Sequence, residues 1–170
     1  MKKSHVLIIS VFLSFAISAL LWGCSKPKSA ENYFEEGVKQ LDSGKPDQAL
    51  GSLDKAIHLN PKYAAAYFYK GNAFAMLGKT KESIDAYAQA IAIEPRVPQP
   101  YYNIANALVS MGRNEEAIAD YDKAIELNPN YVKAYFNKGI TLNRMGRKDE
   151  AKAAFEKVKE LDPKANVPVI

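Results

Sequence analysis

The chain has 170 residues, of which 48% are apolar and 25% are charged, a composition that excludes a disordered or fibrous protein. Its formal net charge of +4 includes Lys2 and Lys3; without these two residues, 21 basic residues face 19 acidic ones, a net charge of +2. So small an excess argues against a nucleic acid partner. The single cysteine excludes an internal disulfide.

The N-terminal segment predicts export from the cytoplasm. Two lysines precede an uncharged apolar run at residues 6–21, which is shorter than the roughly 20 residues of a membrane-spanning helix. We therefore interpret residues 1–23 as a cleaved signal peptide. The lone cysteine, Cys24, follows directly after Leu21, Trp22 and Gly23.

This junction resembles the lipobox of bacterial lipoproteins, although Trp22 stands where that family usually has a small residue. The resemblance implies cleavage before Cys24, diacylglycerol on its sulfur and a further acyl chain such as palmitate on its amino group. Several acyl chains together anchor a protein stably. Residues 24–29 would be the lipidated cysteine and a short linker, and Ser25 in place of Asp favours the outer membrane, facing the periplasm, in a Gram-negative cell. The alternative is an uncleaved anchor with an incidental cysteine.

From residue 30 the sequence repeats itself every 34 residues. The units are 30–63, 64–97, 98–131 and 132–165, followed by a tail at 166–170. Apolar residues recur at helical spacing on both sides of a glycine, so each unit is predicted to form two helices. The glycine, for example Gly78, suits the left-handed residue that ends a helix, and Asn60-Pro61 ends the second helix. The residues that keep this spacing are Tyr33, Tyr67, Tyr101 and Tyr135; Gly44, Gly78, Gly112 and Gly146; and Pro61, Pro95, Pro129 and Pro163.

The pattern resembles the tetratricopeptide repeat (TPR), and the resemblance covers residues 30–165. It implies an all-α fold, a right-handed solenoid of four helix-turn-helix repeats in which each repeat packs against the next. It also implies a scaffold that binds proteins or peptides. The family's further motif positions are Gly37, Gly71, Ala105 and Gly139; Ala49, Ser83, Ala117 and Ala151; Leu53, Tyr87, Tyr121 and Phe155; and Ala56, Ala90, Ala124 and Val158.

No set of residues predicts catalysis. His58 is the one histidine after the signal segment, and no thiol or glycine-rich phosphate loop accompanies it; a solvated surface residue is the simpler interpretation. The acidic pairs Glu35-Glu36 and Glu115-Glu116 are adjacent in predicted helices and point in different directions. We expect no enzyme activity, no cofactor and no metal site.

Function is therefore expected in the residues that vary between units. By the TPR resemblance, six positions of each first helix line a concave groove. The fifth position of every unit is aromatic, and asparagines recur in the last three units; an asparagine amide both donates and accepts hydrogen bonds, so it can pair with a peptide backbone. The alternative is that the polar residues only solvate the wall and that the aromatic residues pack inward. The predicted groove residues are Phe68, Tyr69, Asn72, Tyr102, Asn103, Asn106, Lys133, Phe136, Asn137, Asn143 and Arg144.

One TPR subtype, the carboxylate clamp, is not predicted. Asn72, Asn103 and Lys133 match its pattern, but Phe68 and Asn137 stand where it needs cations. Charge nevertheless varies along the array, from −2 in unit one (4 basic, 6 acidic) to +4 in unit four (9 basic, 5 acidic). A ligand with an acidic end near unit four would suit this field.

The C-terminal end of the array raises a second possibility. Five residues, NVPVI, follow Ala165, and they are too few to form a covering helix. We therefore expect Phe155, Val158 and Leu161 to be incompletely covered, and favour docking of a second copy or a partner there over fold-back of the tail. The leading function is a membrane-anchored scaffold that assembles or stabilises an envelope complex; the alternative is a structural tether that oligomerises through its solenoid ends.

Overall fold

The computed structural model describes residues 27–169, so the predicted signal peptide and Cys24 lie outside the described residues. Within this range the chain forms helices and no strand, and no helix is long and apolar enough to span a membrane. The helices are α1 (Ala30–Asp42), α2 (Pro46–Leu59), α3 (Ala64–Met76), α4 (Thr80–Ile93), α5 (Pro98–Ser110), α6 (Asn114–Leu127), α7 (Val132–Arg144) and α8 (Lys148–Leu161). The predicted all-α solenoid is confirmed.

The turn within each unit depends on its glycine. Gly78 has a φ of 71°, and the equivalent glycines of the other units have similar positive values. This left-handed conformation lets the amide of Lys79 donate to the carbonyl of Phe74 at 2.9 Å, which closes the end of α3. Each second helix ends at the residue before Asn60 or its equivalent, because the proline that follows this residue disfavours a helical conformation there.

Each helix packs against the next one in the chain, so the core runs continuously from unit to unit. Small residues allow this close approach: a methyl group added at Gly71 would lie 2.4 Å from Cε1 of Tyr87, well inside van der Waals contact. Two ion pairs also join neighbouring units, Lys70 with Asp54 at 2.6 Å and Lys138 with Asp122. No unit therefore buries its apolar face alone.

The C-terminal face of the array is polar. Ile118 and Ile125 of α6 pack into clusters that include residues of α7. The equivalent positions in α8 are Lys152 and Lys159, and both are exposed, as is Glu156 between them. The last described helix therefore presents charge where the earlier units present aliphatic side chains.

The expected uncovered apolar face is not there. Phe155 is 3% exposed and Val158 is fully buried within a single chain, and Val167 of the tail packs against the cluster that contains Phe155. The expectation that Phe155 and Val158 are incompletely covered was wrong, because both are buried within the chain itself. Leu161 is half-buried, and docking of a second copy or a partner at this end stays a prediction.

The N-terminal face is polar as well. Asn32 and Lys39 of α1 are exposed, whereas the equivalent residues of α3, Ala66 and Ala73, are fully buried against α2. Ser29 and Asn32 also form a capping box at the start of α1. Both end faces of the array are thus suited to water rather than to another repeat.

Candidate functional site

Between units two and three, the two first helices are joined by a pair of asparagine amides. The Oδ1 of Asn72 accepts a hydrogen bond from the Nδ2 of Asn103 at 3.1 Å and another from the hydroxyl of Tyr87 at 2.8 Å. Tyr87 belongs to α4 and is 2% exposed. Because the hydroxyl donates to Oδ1, the amide of Asn72 is held with its NH₂ group turned away from Tyr87.

The same arrangement recurs 34 residues later between units three and four. The Oδ1 of Asn106 accepts from the Nδ2 of Asn137 at 2.9 Å and from the hydroxyl of Tyr121 at 2.6 Å. The Nδ2 of Asn137 also donates to the hydroxyl of Tyr102 at 3.0 Å. We call Asn72–Asn103 and Asn106–Asn137 the two amide pairs.

In each amide pair one whole NH₂ group and one carbonyl oxygen remain unused. The NH₂ groups of Asn72 and Asn106, and the Oδ1 atoms of Asn103 and Asn137, make no hydrogen bond within residues 27–169. These residues are half-buried, and the described part of the chain has no buried side-chain nitrogen or oxygen without a partner. The unused atoms therefore face solvent.

The tyrosine hydroxyls remain donors throughout the physiological pH range. Burial raises the pKa of Tyr87 to about 12, an effect that the neighbouring amide of Asn103 partly opposes. Burial raises the pKa of Tyr121 still further. A neutral hydroxyl must donate to the amide oxygen, so these residues fix the orientation of both pairs.

This geometry corrects one expectation from sequence. The asparagines were expected to offer their amides to a peptide backbone, but Asn72 bonds to Asn103 and Asn106 bonds to Asn137, so only part of each amide is available. Asn143 makes no side-chain hydrogen bond to the described residues. Sequence reasoning also missed the second helices, which contribute Tyr87 and Tyr121.

We call the surface along α3, α5 and α7 that carries the two amide pairs the inter-repeat groove. Each amide pair lies beside a cavity in this groove. The cavity at units two and three has a volume of about 480 Å³, and the equivalent cavity at units three and four has about 170 Å³. Small residues widen the first cavity: Ala75 and Ser110 stand where the second has Val109 and Arg144. Thr80 and Ser83 of α4 complete its wall.

The predicted aromatic residues are half-buried and pack inward. Phe68 lies 5.7 Å from Tyr87, Tyr102 lies 6.0 Å from Tyr121 and Phe136 lies 5.9 Å from Phe155, between ring centres. These rings therefore serve the core as well as the groove wall.

A third cavity follows the groove toward the N-termini of the first helices. Phe68 and Tyr69 line it together with Val97 and Pro100, in a volume of about 380 Å³. This space can take an apolar side chain.

Charged groove residues stand at the two ends. Lys133 and Arg144 in unit four are exposed, and Arg144 lines the smaller cavity with Asn137. Glu31, Glu35 and Asp42 are exposed on α1. The array thus places acidic and basic groups at opposite ends of one surface.

Among residues 27–169 no cluster of His, Cys, Asp and Glu could hold a metal ion.

Comparison with known proteins agrees with this architecture. Sequence models of the tetratricopeptide repeat match residues 26–98 and 132–165, and a TPR repeat model matches residues 105–146. No curated protein matches the chain.

Solved structures are similar over most of the described residues. A crystal structure of MamA is 32% identical, with a TM-score of 0.78 over 82% of this chain and 82% of that one. YrrB, described as a TPR protein with an unusual peptide-binding site, is 29% identical, with a TM-score of 0.70 over 79% of this chain and 70% of that one. A MamA fragment from Desulfovibrio magneticus RS-1, 23% identical with a TM-score of 0.74 over 81% and 78% of the two chains, shares the fold. The repeat pattern, the helix pairs and these matches together show that the chain belongs to the tetratricopeptide repeat family and is a scaffold for protein–protein interaction.

Proposed function

We propose that this chain is a lipid-anchored scaffold of the bacterial cell envelope that binds a protein or peptide partner in its inter-repeat groove and thereby assembles or stabilises an envelope complex. The signal-peptide pattern and the lipobox-like sequence before Cys24 support the anchor and the envelope location. Membership of the TPR family and the likeness to YrrB support the choice of a polypeptide partner.

The observation that carries the groove proposal is the orientation of the two amide pairs. Each pair presents one unused NH₂ group and one unused carbonyl oxygen to solvent, and a peptide unit has the complementary acceptor and donor. The tyrosine hydroxyls hold these amides in place before a ligand arrives, so binding costs little additional side-chain entropy.

A double substitution tests the groove. Asn103→Ala with Asn137→Ala removes the unused acceptors of both pairs, and each hydrogen bond contributes about 0.5–1.5 kcal/mol. We expect partner binding, measured by calorimetry on a partner captured from envelope extract, to weaken at least several-fold. Gln89→Ala changes an exposed residue on a different face and should leave affinity unchanged. Full affinity in a folded double variant would refute the groove proposal.

A separate experiment tests the anchor. Cys24→Ala should leave the larger precursor uncleaved and abolish labelling with radioactive palmitate in cells, whereas Ser25→Ala should retain labelling. Unchanged labelling of Cys24→Ala, or a mature N-terminus at another residue, would contradict the lipoprotein assignment.

The alternative of a tether that oligomerises through its solenoid ends is less well supported. Lys152 and Lys159 at one end and Asn32 and Lys39 at the other are exposed polar residues. Stacking of two copies through these faces would remove charged groups from water without burying apolar surface.

A further inference from the structure

We propose that the groove recognises an extended polypeptide segment of opposite charge at its two ends, with the basic end against unit one and the acidic end against unit four. This inference rests on the proposed function, because it assigns a charge pattern to the peptide that the groove is proposed to bind. It is carried by exposed charged side chains that make no ion pair within residues 27–169.

The acidic end of the groove lies on α1. Glu31, Glu35 and Asp42 make no ion pair with any described residue. Phe34, which precedes Glu35 on α1, lies 4.9 Å from Tyr63 and 5.4 Å from Tyr69 between ring centres, so this part of α1 borders unit two. In agreement with this position, burial raises the pKa of Tyr63, and the charges of Glu31 and Glu35 raise it further. By contrast Glu36, on another side of α1, is paired with Lys28 at 2.7 Å.

The basic end of the groove lies on α7. Lys133 and Arg144 likewise make no ion pair within residues 27–169. Arg144 lines the same cavity as Asn106 and Asn137, so its guanidinium lies beside the second amide pair. Its charge acts to lower the pKa of Tyr121, although the larger effect of burial raises that pKa. The neighbouring cations Lys138 and Arg147 are already paired, with Asp122 and Glu150.

The two ends are far enough apart to act independently. Packed helices lie roughly 8–10 Å apart, so the four first helices span about 30 Å, which an extended chain of about nine residues covers. This span exceeds the screening length of about 8 Å at physiological salt. A ligand therefore meets two separate fields, with the neutral amide pairs, aromatic residues and a single carboxylate, that of Glu94, in the cavities between them. A polyanion such as a nucleic acid would be repelled at unit one, so the charge pattern favours a polypeptide of mixed charge.

Selection from a random peptide library tests this directly. The probe is a phage-displayed library of peptides about twelve residues long, selected on the folded domain of residues 25–170 from which the lipid is absent. The test variant carries Lys133→Glu and Arg144→Glu. The control variant carries Lys152→Glu and Lys159→Glu, which changes the net charge equally on the end face outside the groove.

Peptides selected on the wild type and on the control should be basic at one end and acidic at the other. Those selected on the test variant should be basic at both ends. A wild-type peptide should bind the test variant about tenfold more weakly, since two exposed ion pairs are lost and replaced by repulsion, and high salt should weaken its binding to the wild type.

The possible failures are distinguishable. Peptides that bind in the groove with no preference for charge at either end would overturn this inference and leave the proposed function standing. Enrichment of uniformly acidic peptides, or binding of single-stranded DNA as tightly as peptides, would also overturn it. No enrichment of any peptide would count against both the inference and the proposed function.

Discussion

The substitution Asn106→Ala should destabilise the fold although Asn106 is only half-buried. Its Oδ1 accepts two hydrogen bonds, from Tyr121 at 2.6 Å and from Asn137 at 2.9 Å, and alanine removes both. At about 0.5–1.5 kcal/mol for each bond the loss is about 1–3 kcal/mol. The better helix propensity of alanine returns about 0.6 kcal/mol. The free energy of unfolding should therefore fall by about 0.4–2.4 kcal/mol.

Urea denaturation followed by circular dichroism measures this change, and thermal melting should show a decrease of roughly 1–8 °C. Asn143→Ala is the matched control, because Asn143 lies on α7 in the same groove wall but makes no side-chain hydrogen bond to the described residues. Its unfolding free energy should not fall, and the better helix propensity of alanine should raise it by about 0.6 kcal/mol.

A double-mutant cycle isolates the hydroxyl–amide contact. Tyr121→Phe alone should cost about 0.5–1.5 kcal/mol, and it should cost much less in the Asn106→Ala background, because the acceptor is already absent. Additive effects of the two substitutions, or an Asn106→Ala protein as stable as the wild type, would refute the assignment of a structural role to this amide pair.

Three other outcomes are expected. Gly71→Ala should destabilise the fold by about 1–3 kcal/mol in urea denaturation, since the added methyl group overlaps the ring of Tyr87. Gly51 has open space around it, so Gly51→Ala should stabilise the fold by about 0.5–1 kcal/mol. Equal effects of the two substitutions would contradict the packing described. The free energy of unfolding should fall as pH rises from about 10 to 12, because Tyr87 releases its proton in the unfolded chain before it does so in the folded one. A pKa difference of two units corresponds to about 2.7 kcal/mol. The Tyr87→Phe variant should lose correspondingly less stability over the same pH range. Lys152→Ile with Lys159→Ile should create a self-associating end face, seen by sedimentation equilibrium; a wild type that associates as strongly as this variant would show that the ends are not closed.

The fold was predictable because its signals repeat at one fixed spacing. A glycine such as Gly78 and a proline such as Pro61 each mark a helix end by a local conformational restriction, and local restrictions can be read without coordinates. The polarity of the array's ends was also present in the sequence, in Lys152 and Lys159, but it becomes apparent only when the same position is compared across units.

The amide pairs were less accessible to sequence reasoning. Their members are 31 residues apart, a spacing set by how neighbouring first helices are offset rather than by the repeat period. One signal could have found them: asparagine at Asn72 and Asn106 occurs in the units that carry Tyr87 and Tyr121, whereas unit four combines Ile140 with Phe155. The hydroxyl and the amide occur together because each satisfies the other.

The polar end faces also restrict how such an array can grow. A copy of unit three placed between units three and four would present Ile118 and Ile125 to the first helix that follows it, as unit three now does, and its own first helix would meet the same aliphatic side chains. A copy appended beyond unit four would instead meet Lys152 and Lys159. Gene duplication could therefore lengthen this groove from the middle, where each added repeat would bring another tyrosine and asparagine to the row, while the two terminal units stayed in place.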